Sequence, residues 1–505
     1  VSVALSLASS PSGQARPVHI IHTNDLHSHF DHAEDPARGG YPDVRRVIHE
    51  LKERSEAAGI PTLVMDAGDF TEGSLQYFAD RGRSVWRVMN QMGFDAVVMG
   101  NHDWLMGPED FDELLADTPP AFDLLGANFL ASKRRTQIKK HVRRHATYER
   151  GGLRISVIGL TTPEFVFNWR AEEGMIGSHV DAAFKALGEV RGQSDAVIAL
   201  THLGVKTDRA LIERVSGIDA VVGGHSHTEL HEPIFVQDKK RKRLVPIVQT
   251  GKHGETVGSF LVDIEPGRPL RVLRYELVPV LREAGREPAA SESASTTELH
   301  RLIRENRALL ERDYGREWLT EKLGESKVPL GRPGPDNEPT AWTRLVTDSL
   351  REAARADVAL DIDEFNGPTQ PAGAITRETL MKLYPRQFEF SQKLGWTIWT
   401  HEVSGWILKL AVEQAVKLDA GFRVSGATWK VKLDSSGNRQ AADIRIGGEK
   451  IRAFKSYRLA VPEGIGRGSV EIFTSFRLLL RQPEDTRIPV WTAIENRLRK
   501  LGTID

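Results

Sequence analysis

Short runs of β-branched and aliphatic residues recur through the first half of the chain, each followed by a polar cluster and then by a stretch with helical spacing. They are VHIIH (18–22), TLVMDAGD (62–69), AVVMGNHD (96–103), LLGANF (124–129), RISVIGLTT (154–162), AVIALTHLG (196–204) and AVVGGHSH (220–227). Continuous apolar runs of this length, separated by amphipathic stretches, predict buried strands of an α/β domain over residues 17–282. The polar clusters fall at the strand C-terminal ends, where α/β folds place their ligand sites. From Arg282 the composition turns to charged and small residues, and residues 283–329 read as a linker containing one helix. Its core is TELHRLIRENRALLERDYG, which carries apolar residues at helical spacing and stops at Gly315. Residues 330–505 read as a second, smaller α+β domain, with TAWTRLVTDSLREAARA and SGWILKLAVEQAVKL as amphipathic helices and several strands between them.

A chain of 505 residues exceeds the usual limit for a single core, which agrees with two domains. Cys is absent, so thiolate zinc sites, cysteine nucleophiles and redox motifs are excluded, and any metal must be held by His, Asp, Glu or Asn. The formal net charge of −1 argues against a protein that coats nucleic acid or a polybasic membrane binder. The basic runs KKHVRRH and KKRKR read as solvated loops. No apolar run approaches the ~20 residues that span a bilayer. Residues 1–16 open with a short apolar stretch and end in small residues, like the later part of a secretory signal or a disordered extension, and predict a periplasmic or secreted location.

The stretch HTNDLHSHF (22–30) crowds three histidines and an aspartate together. Imidazole and carboxylate suit a divalent metal, but local density decides little by itself. Matching donors follow the later runs: Asp69 in AGDF, Asn101 and His102 in GNHD, His202 in THLG, and His225 and His227 in GGHSH. The order D-x-H, G-D, G-N-H-[DE], H, G-H-x-H resembles the calcineurin-like metallophosphoesterases. Such a set suits two divalent cations sharing one carboxylate, which together lower the pKa of a bridging water and clamp a phosphoryl oxygen. The mixture of His, Asp and Asn keeps negative charge low enough for a phosphate dianion to approach.

That resemblance implies a four-layer α/β/β/α sandwich. It also implies that Asp25, His27 and His227 hold a first metal, Asp69 bridges, and Asn101, His202 and His225 hold a second. His102 would stabilise or protonate the reacting phosphoryl group, with Asp103 placed to orient its ring. His22, inside a strand, and His29 read as packing residues, and His253 as a neighbour of the site.

A narrower resemblance is to the 5′-nucleotidase family, carried by HTNDLHSH, GDFTEGS, GNHDW, GGHSHT and QTGKHGETVG, and later by EPTAWTRLVTDSL, GAITRETL, HEVSGWILKLAVE, GFRVSG and YRLAVPEG. It implies a C-terminal substrate-binding domain that stacks a base between two rings, Phe422 being the first and Phe473 the second. The family's N-x-G-G-x-R segment is replaced by DIDEFNGPTQPAG, in which Asn366 keeps part of the turn, and charge is expected from Arg423 or Lys417 instead. A second departure follows GNHD, where the aspartate three positions after the histidine in many relatives is Leu105.

The expected protein is a two-metal phosphoric monoester hydrolase acting on nucleotides or similar small phosphate esters, with the cations drawn from Mn, Zn, Mg, Fe or Co. The alternatives are a 2′,3′-cyclic nucleotide phosphodiesterase, a nucleotide-sugar hydrolase, a relative of the thiosulfohydrolases, and a binding protein with a vestigial centre. Intact donors at every motif count against the last.

Overall fold

The computed structural model describes residues 15–30, 35, 37–163, 172, 175–282, 294–334, 338–386, 395–418, 421–467 and 481–505. Most of residues 1–16, and Phe473, therefore lie outside the described residues. The chain separates into two compact units, one formed by most of the chain up to Arg307 and the other by Gly73–Ala79 and Ala308–Asp505.

The first unit contains two sheets. Its strands in chain order are β1 (Arg16–Thr23), β2 (Thr62–Asp66), β3 (Ala96–Val98), β4 (Asp123–Leu125), β5 (Val142–Arg143), β6 (His145–Arg150), β7 (Leu153–Thr161), β8 (Ala196–His202), β9 (Ala220–Gly223), β10 (Ile234–Asp238), β11 (Arg243–Val248), β12 (Thr256–Ile264) and β13 (Arg271–Pro279). One sheet runs β13-β12-β1-β2-β3-β4-β5 and the other β10-β11-β9-β8-β7-β6. β1 to β5 are mutually parallel, as are β7, β8, β9 and β11, so the loops that follow them open toward the strand C-terminal ends.

Alternation along the strands explains the layers. Val18 and Ile20 of β1, with Leu63 and Met65 of β2, point inward and pack against Ile155, Val157, Ile198 and Leu200 of the other sheet. The opposite face of β1 meets a helix, where His19 Nδ1 lies 2.6 Å from Ser55 Oγ of Tyr41–Ala57. On the outer face of the second sheet, Ile158, Leu160, Val197 and Val221 are covered by Ala186 and Leu187 of helix His179–Val190 and by Leu211 and Ile212 of helix Val205–Arg214. The strands read as unbroken apolar runs because both of their faces are covered. The result is the expected α/β/β/α sandwich. His22 is fully buried in this frame, stacked on Tyr275 at 6.2 Å, which agrees with a packing role.

The second unit is built around a five-stranded sheet in the order Phe422–Ser425, Val358–Ile362, Ser456–Pro462, Thr397–Ser404, Arg481–Pro489. Both expected helices form, as Ala341–Ala353 and Gly405–Leu418, the former opened by a reciprocal capping box between Thr340 and Thr343. The helix foreseen in the linker is Ala294–Tyr314.

Asp361 lies fully buried in this unit, accepting from Asn366 Nδ2 at 2.9 Å and facing Tyr384 Oη at 3.4 Å. Burial pushes its carboxyl up to about 7, outweighing the opposite pull of the Asn366 hydrogen bond. The folded state then holds a proton that the unfolded chain releases near pH 4, so stability is greatest at low pH and declines as pH rises toward 7. At about 1.4 kcal/mol per pKa unit the effect is of the order of a few kcal/mol. Thermal melts of Asp361→Asn between pH 5 and 8 are expected to lose that part of the pH slope; an unchanged slope would place the titration elsewhere.

Candidate functional site

Five loops converge at the C-terminal ends of β1, β2, β3, β8 and β9, and they hold the polar clusters read from the sequence. Their backbone is unusual. Asp25, His27, Ser28, Asp69, Glu72, His225, His227 and His253 all have positive φ, which side chains other than glycine rarely adopt. Conformations of this kind persist where surrounding contacts over-determine them, and they concentrate at functional sites. Two glycines allow the loops to meet. A Cβ on Gly100 would lie 2.1 Å from Asp69 Oδ1, and one on Gly224 would lie 2.7 Å from the Ala67 carbonyl and 3.1 Å from both Asp25 Oδ2 and His202 Nδ1.

The donors fall into overlapping groups. Asp25, His27 and His227 form one and Asp69, His202 and His225 another, while Asp69 also groups with His27 and His102. Asp25 Oδ1 lies 3.3 Å from His227 Nε2, and the Nε2 atoms of His27 and His227 are 3.1 Å apart. Asp69 Oδ2 faces His202 Nε2 at 2.9 Å on one side and His27 Nε2 at 4.0 Å on the other.

Tautomers follow from the partners behind the rings. His27 Nδ1 donates to the Glu72 carbonyl at 2.8 Å and His202 Nδ1 to the Ala67 carbonyl at 2.7 Å. In the neutral rings both Nε2 atoms therefore turn lone pairs inward, toward carboxylates and another imidazole. Asn101 is buried and its Oδ1 has no hydrogen-bond partner. Converging lone pairs in a desolvated cleft are stabilised by a cation, so this donor set fits divalent metal ions of the His/Asp/Asn type. The same crowding appears in the titration behaviour. Burial would raise Asp69, but the His202 and His102 imidazoles hold it well below the usual carboxylate range. Burial would lower His202, yet the Asp69 and Asp25 carboxylates push it up to about 10. His27, by contrast, is held well below its usual value by burial and by the neighbouring His102.

A second ring of contacts holds the loops together. Asp103 accepts from the backbone N–H groups of Asp69 (3.0 Å), Gly100 (2.7 Å) and Thr71 (3.0 Å). It therefore ties the loop after β2 to the loop after β3 and is turned away from the His102 ring, contrary to the expectation that it would orient that ring. The carboxylate at the ring is Glu72, whose Oε2 lies 2.6 Å from His102 Nδ1. Asn24 donates to Asp25 Oδ2 at 2.7 Å and accepts from the Thr250 N–H at 2.8 Å. His253 stacks on His29 at 3.8 Å, and its N–H donates to the Asp25 carbonyl at 2.7 Å. Sequence reasoning missed Glu72 and Asn24. Both lie inside quoted motifs, but only their spatial neighbours give them meaning.

The expected substrate residues lie in the second unit. Phe422 and Arg423 alternate on one strand and so face opposite sides. Phe422 helps line an apolar cavity of about 280 Å³ with Leu360, Leu408, Val412 and Trp429. Arg423 is buried and paired through two nitrogens with the Asp363 carboxylate. Asn366 is enclosed, accepting from Trp342 Nε1 at 2.8 Å and donating to Asp361 and to the Ile362 carbonyl.

Because Gly100 touches Asp69, Gly100→Ala is expected to displace that carboxylate and lower divalent-metal affinity at least about tenfold, with circular dichroism unchanged. Calorimetric metal titration would show it; full affinity in the variant would mean that the two loops have more room than their contact distance implies.

Residues 18–229 match the family model of the calcineurin-like phosphoesterases, and residues 322–477 that of the 5′-nucleotidase C-terminal domain. A 5′-nucleotidase of Vibrio vulnificus is 25% identical over 88% of this chain and 83% of its own length. The trifunctional nucleotide phosphoesterase protein YfkN of Bacillus subtilis is 25% identical over 96% of this chain, which spans only 34% of that longer protein. Among solved structures, a 5′-nucleotidase precursor from Thermus thermophilus superposes with a TM-score of 0.77 at 22% identity, covering 97% of both chains. A sulfate thiohydrolase, SoxB, from Thermus does so at 0.68 and 18%, covering 98% and 96%, and shares the fold. With both family domains matched in order and the metallophosphoesterase donors gathered at one set of strand ends, the chain belongs to the 5′-nucleotidase family of metal-dependent phosphoester hydrolases.

Proposed function

We propose that the protein hydrolyses phosphate monoesters of nucleotides with two divalent cations per chain. The observation that carries this reading is the position of Asp69, whose carboxylate stands between the His202 and His27 rings and belongs to donor groups on both sides. In this reading Asp25, His27 and His227 hold one ion and Asn101, His202 and His225 the other, with Asp69 shared. Such ions, when bound, lower the pKa of a water at the site and offset phosphoryl charge.

The remaining chemistry belongs to the chain. His102 Nε2 lies 3.8 Å from Asp69 Oδ2, within the donor group it forms with Asp69 and His27. Water gives up one proton to solvent and, as hydroxide, supplies the oxygen that bonds to phosphorus. As the bond from phosphorus to the ester oxygen breaks, that oxygen takes the proton from His102 Nε2, leaving a neutral imidazole and a free alcohol. Positive φ at Asp25, His27, Asp69, His225 and His227 fixes the donors before substrate arrives, so little reorganisation accompanies the reaction.

A nucleotide substrate is supported by the C-terminal family match and by the similarity to a 5′-nucleotidase and a nucleotide phosphoesterase. Phe422 is the proposed base-stacking ring, while Arg423 and Asn366 serve the framework around it. The proposed division is a catalytic domain over 17–282, a linker over 283–329 and a substrate domain over 330–505. A periplasmic or secreted location goes with the apolar, small-residue opening of the chain. No described helix is long and apolar enough to cross a membrane.

The deciding experiment is a screen of metal-reconstituted protein against nucleoside monophosphates, cyclic nucleotides, nucleotide sugars and a thiosulfonate ester, with metal counted by elemental analysis. Monophosphate hydrolysis with two ions per chain is expected, and Asp69→Asn should weaken both sites together. Full activity with one ion per chain would rule out the shared carboxylate. Turnover of the sulfur ester alone would remove the nucleotidase reading.

His102→Asn is expected to keep its metals while kcat falls ~10²–10⁴-fold. Loss of metal in that variant would make His102 a ligand, in keeping with its grouping beside His27 and Asp69.

A further inference from the structure

We infer that Glu72 is the positioning carboxylate for His102, taking in space the place that the sequence of the histidine's own loop leaves to an apolar residue. The inference rests on the phosphomonoesterase reading above and on His102 as its proton donor. Neither of two positions close to the ring in sequence serves it. Asp103 is bound by the backbone N–H groups of Asp69, Gly100 and Thr71, and Leu105 is a buried aliphatic side chain. Glu72 arrives from a different loop, three residues after Asp69.

Its geometry is that of a held partner. The carboxylate is 1% exposed and its Oε2 stands 2.6 Å from His102 Nδ1, a short distance for a nitrogen–oxygen hydrogen bond. The residue sits at φ +36°, a conformation that is costly unless neighbouring contacts demand it. Those contacts are on either side: Thr71 Oγ1 donates to the His102 carbonyl at 2.6 Å, and the Glu72 carbonyl accepts from His27 Nδ1 at 2.8 Å. One residue thus grips two rings of the centre, His27 through its backbone and His102 through its side chain.

The consequence is a defined tautomer. A carboxylate at Nδ1 keeps a proton there, so Nε2 is the atom that exchanges a proton with the substrate. When Nε2–H passes its proton to the leaving oxygen, the Nδ1–H hydrogen bond to Glu72 is retained and the ring does not rotate. The Glu72 carboxylate is proposed to act on the reaction through His102, while the backbone carbonyl of the same residue holds His27 and is kept in a side-chain substitution.

The test is Glu72→Gln, which keeps shape and removes charge, compared on two substrates in the reconstituted enzyme. A nucleoside 5′-monophosphate leaves as a strongly basic alkoxide and depends on proton donation, whereas p-nitrophenyl phosphate leaves as a stable phenolate and hardly needs it. The expected result is a fall in kcat of about 10–100-fold for the nucleotide and under about threefold for the aryl ester, with KM and metal content nearly unchanged. In a His102→Asn background the same substitution should add less than about twofold, because its effect passes through the ring. Independently of turnover, a downfield Nδ1–H proton resonance of His102 should be present in the native protein and lost in Glu72→Gln.

Equal losses on both substrates with metal released would make Glu72 a structural support of the metal loops and overturn the inference. So would a full additional loss in the His102→Asn background, or a resonance indifferent to Glu72. Native protein that turns over no phosphate monoester would instead sink the functional reading, and the resonance would still report whether Glu72 holds the ring.

Discussion

The structure of the first unit depends on bringing Asp69 and a set of imidazole lone pairs into one water-poor cleft. The convergence mixes like and unlike groups: His27 Nε2 and His227 Nε2 are 3.1 Å apart, while the Asp69 and Asp25 carboxylates both attract the His202 ring. Folding energy from the two packed sheets sustains it, since the apolar runs behind the loops bury completely between and beneath the layers. Strain at positive φ and crowding of lone pairs are thus concentrated where a cation relieves them. The same strain that costs stability in the bare chain makes the donors ready for metal.

Around that centre the loops are held by residues that bind backbone groups and the rings and carboxylates of the donors. Asp103 joins the loops after β2 and β3, Asn24 joins the β1 loop to Thr250, and Glu72 links the His27 and His102 rings. Most of these contacts cross between segments far apart in the chain. Displacing one would therefore disturb two donors, so the residues behind the centre matter to its chemistry nearly as much as the donors themselves.

The second unit follows a different economy. Several of its buried polar residues pair with one another: Arg423 with Asp363, and Asn366 with Trp342, Asp361 and the Ile362 carbonyl. Phe422 instead faces an apolar cavity bounded by helix Gly405–Leu418 and the neighbouring strands.

By itself the sequence determined the strands, because residues buried on both faces must be apolar in continuous runs, and it pointed to the donor candidates, because each lies at or just beyond the end of such a run. The positions of Asp25, Asp69, Asn101, His202 and His225 were legible for that reason. Tertiary structure alone decided the partners. Neighbours in sequence suggested Asp103 for the His102 ring, yet the loop after β3 turns that carboxylate onto backbone amides and brings Glu72 from the loop after β2 to the ring. Period-2 alternation put Phe422 and Arg423 on opposite faces, but that this strand would border an apolar cavity and that Arg423 would pair with Asp363 depended on the elements packed against it. Local pattern specifies what a segment buries; the approach of distant loops specifies what its polar groups touch.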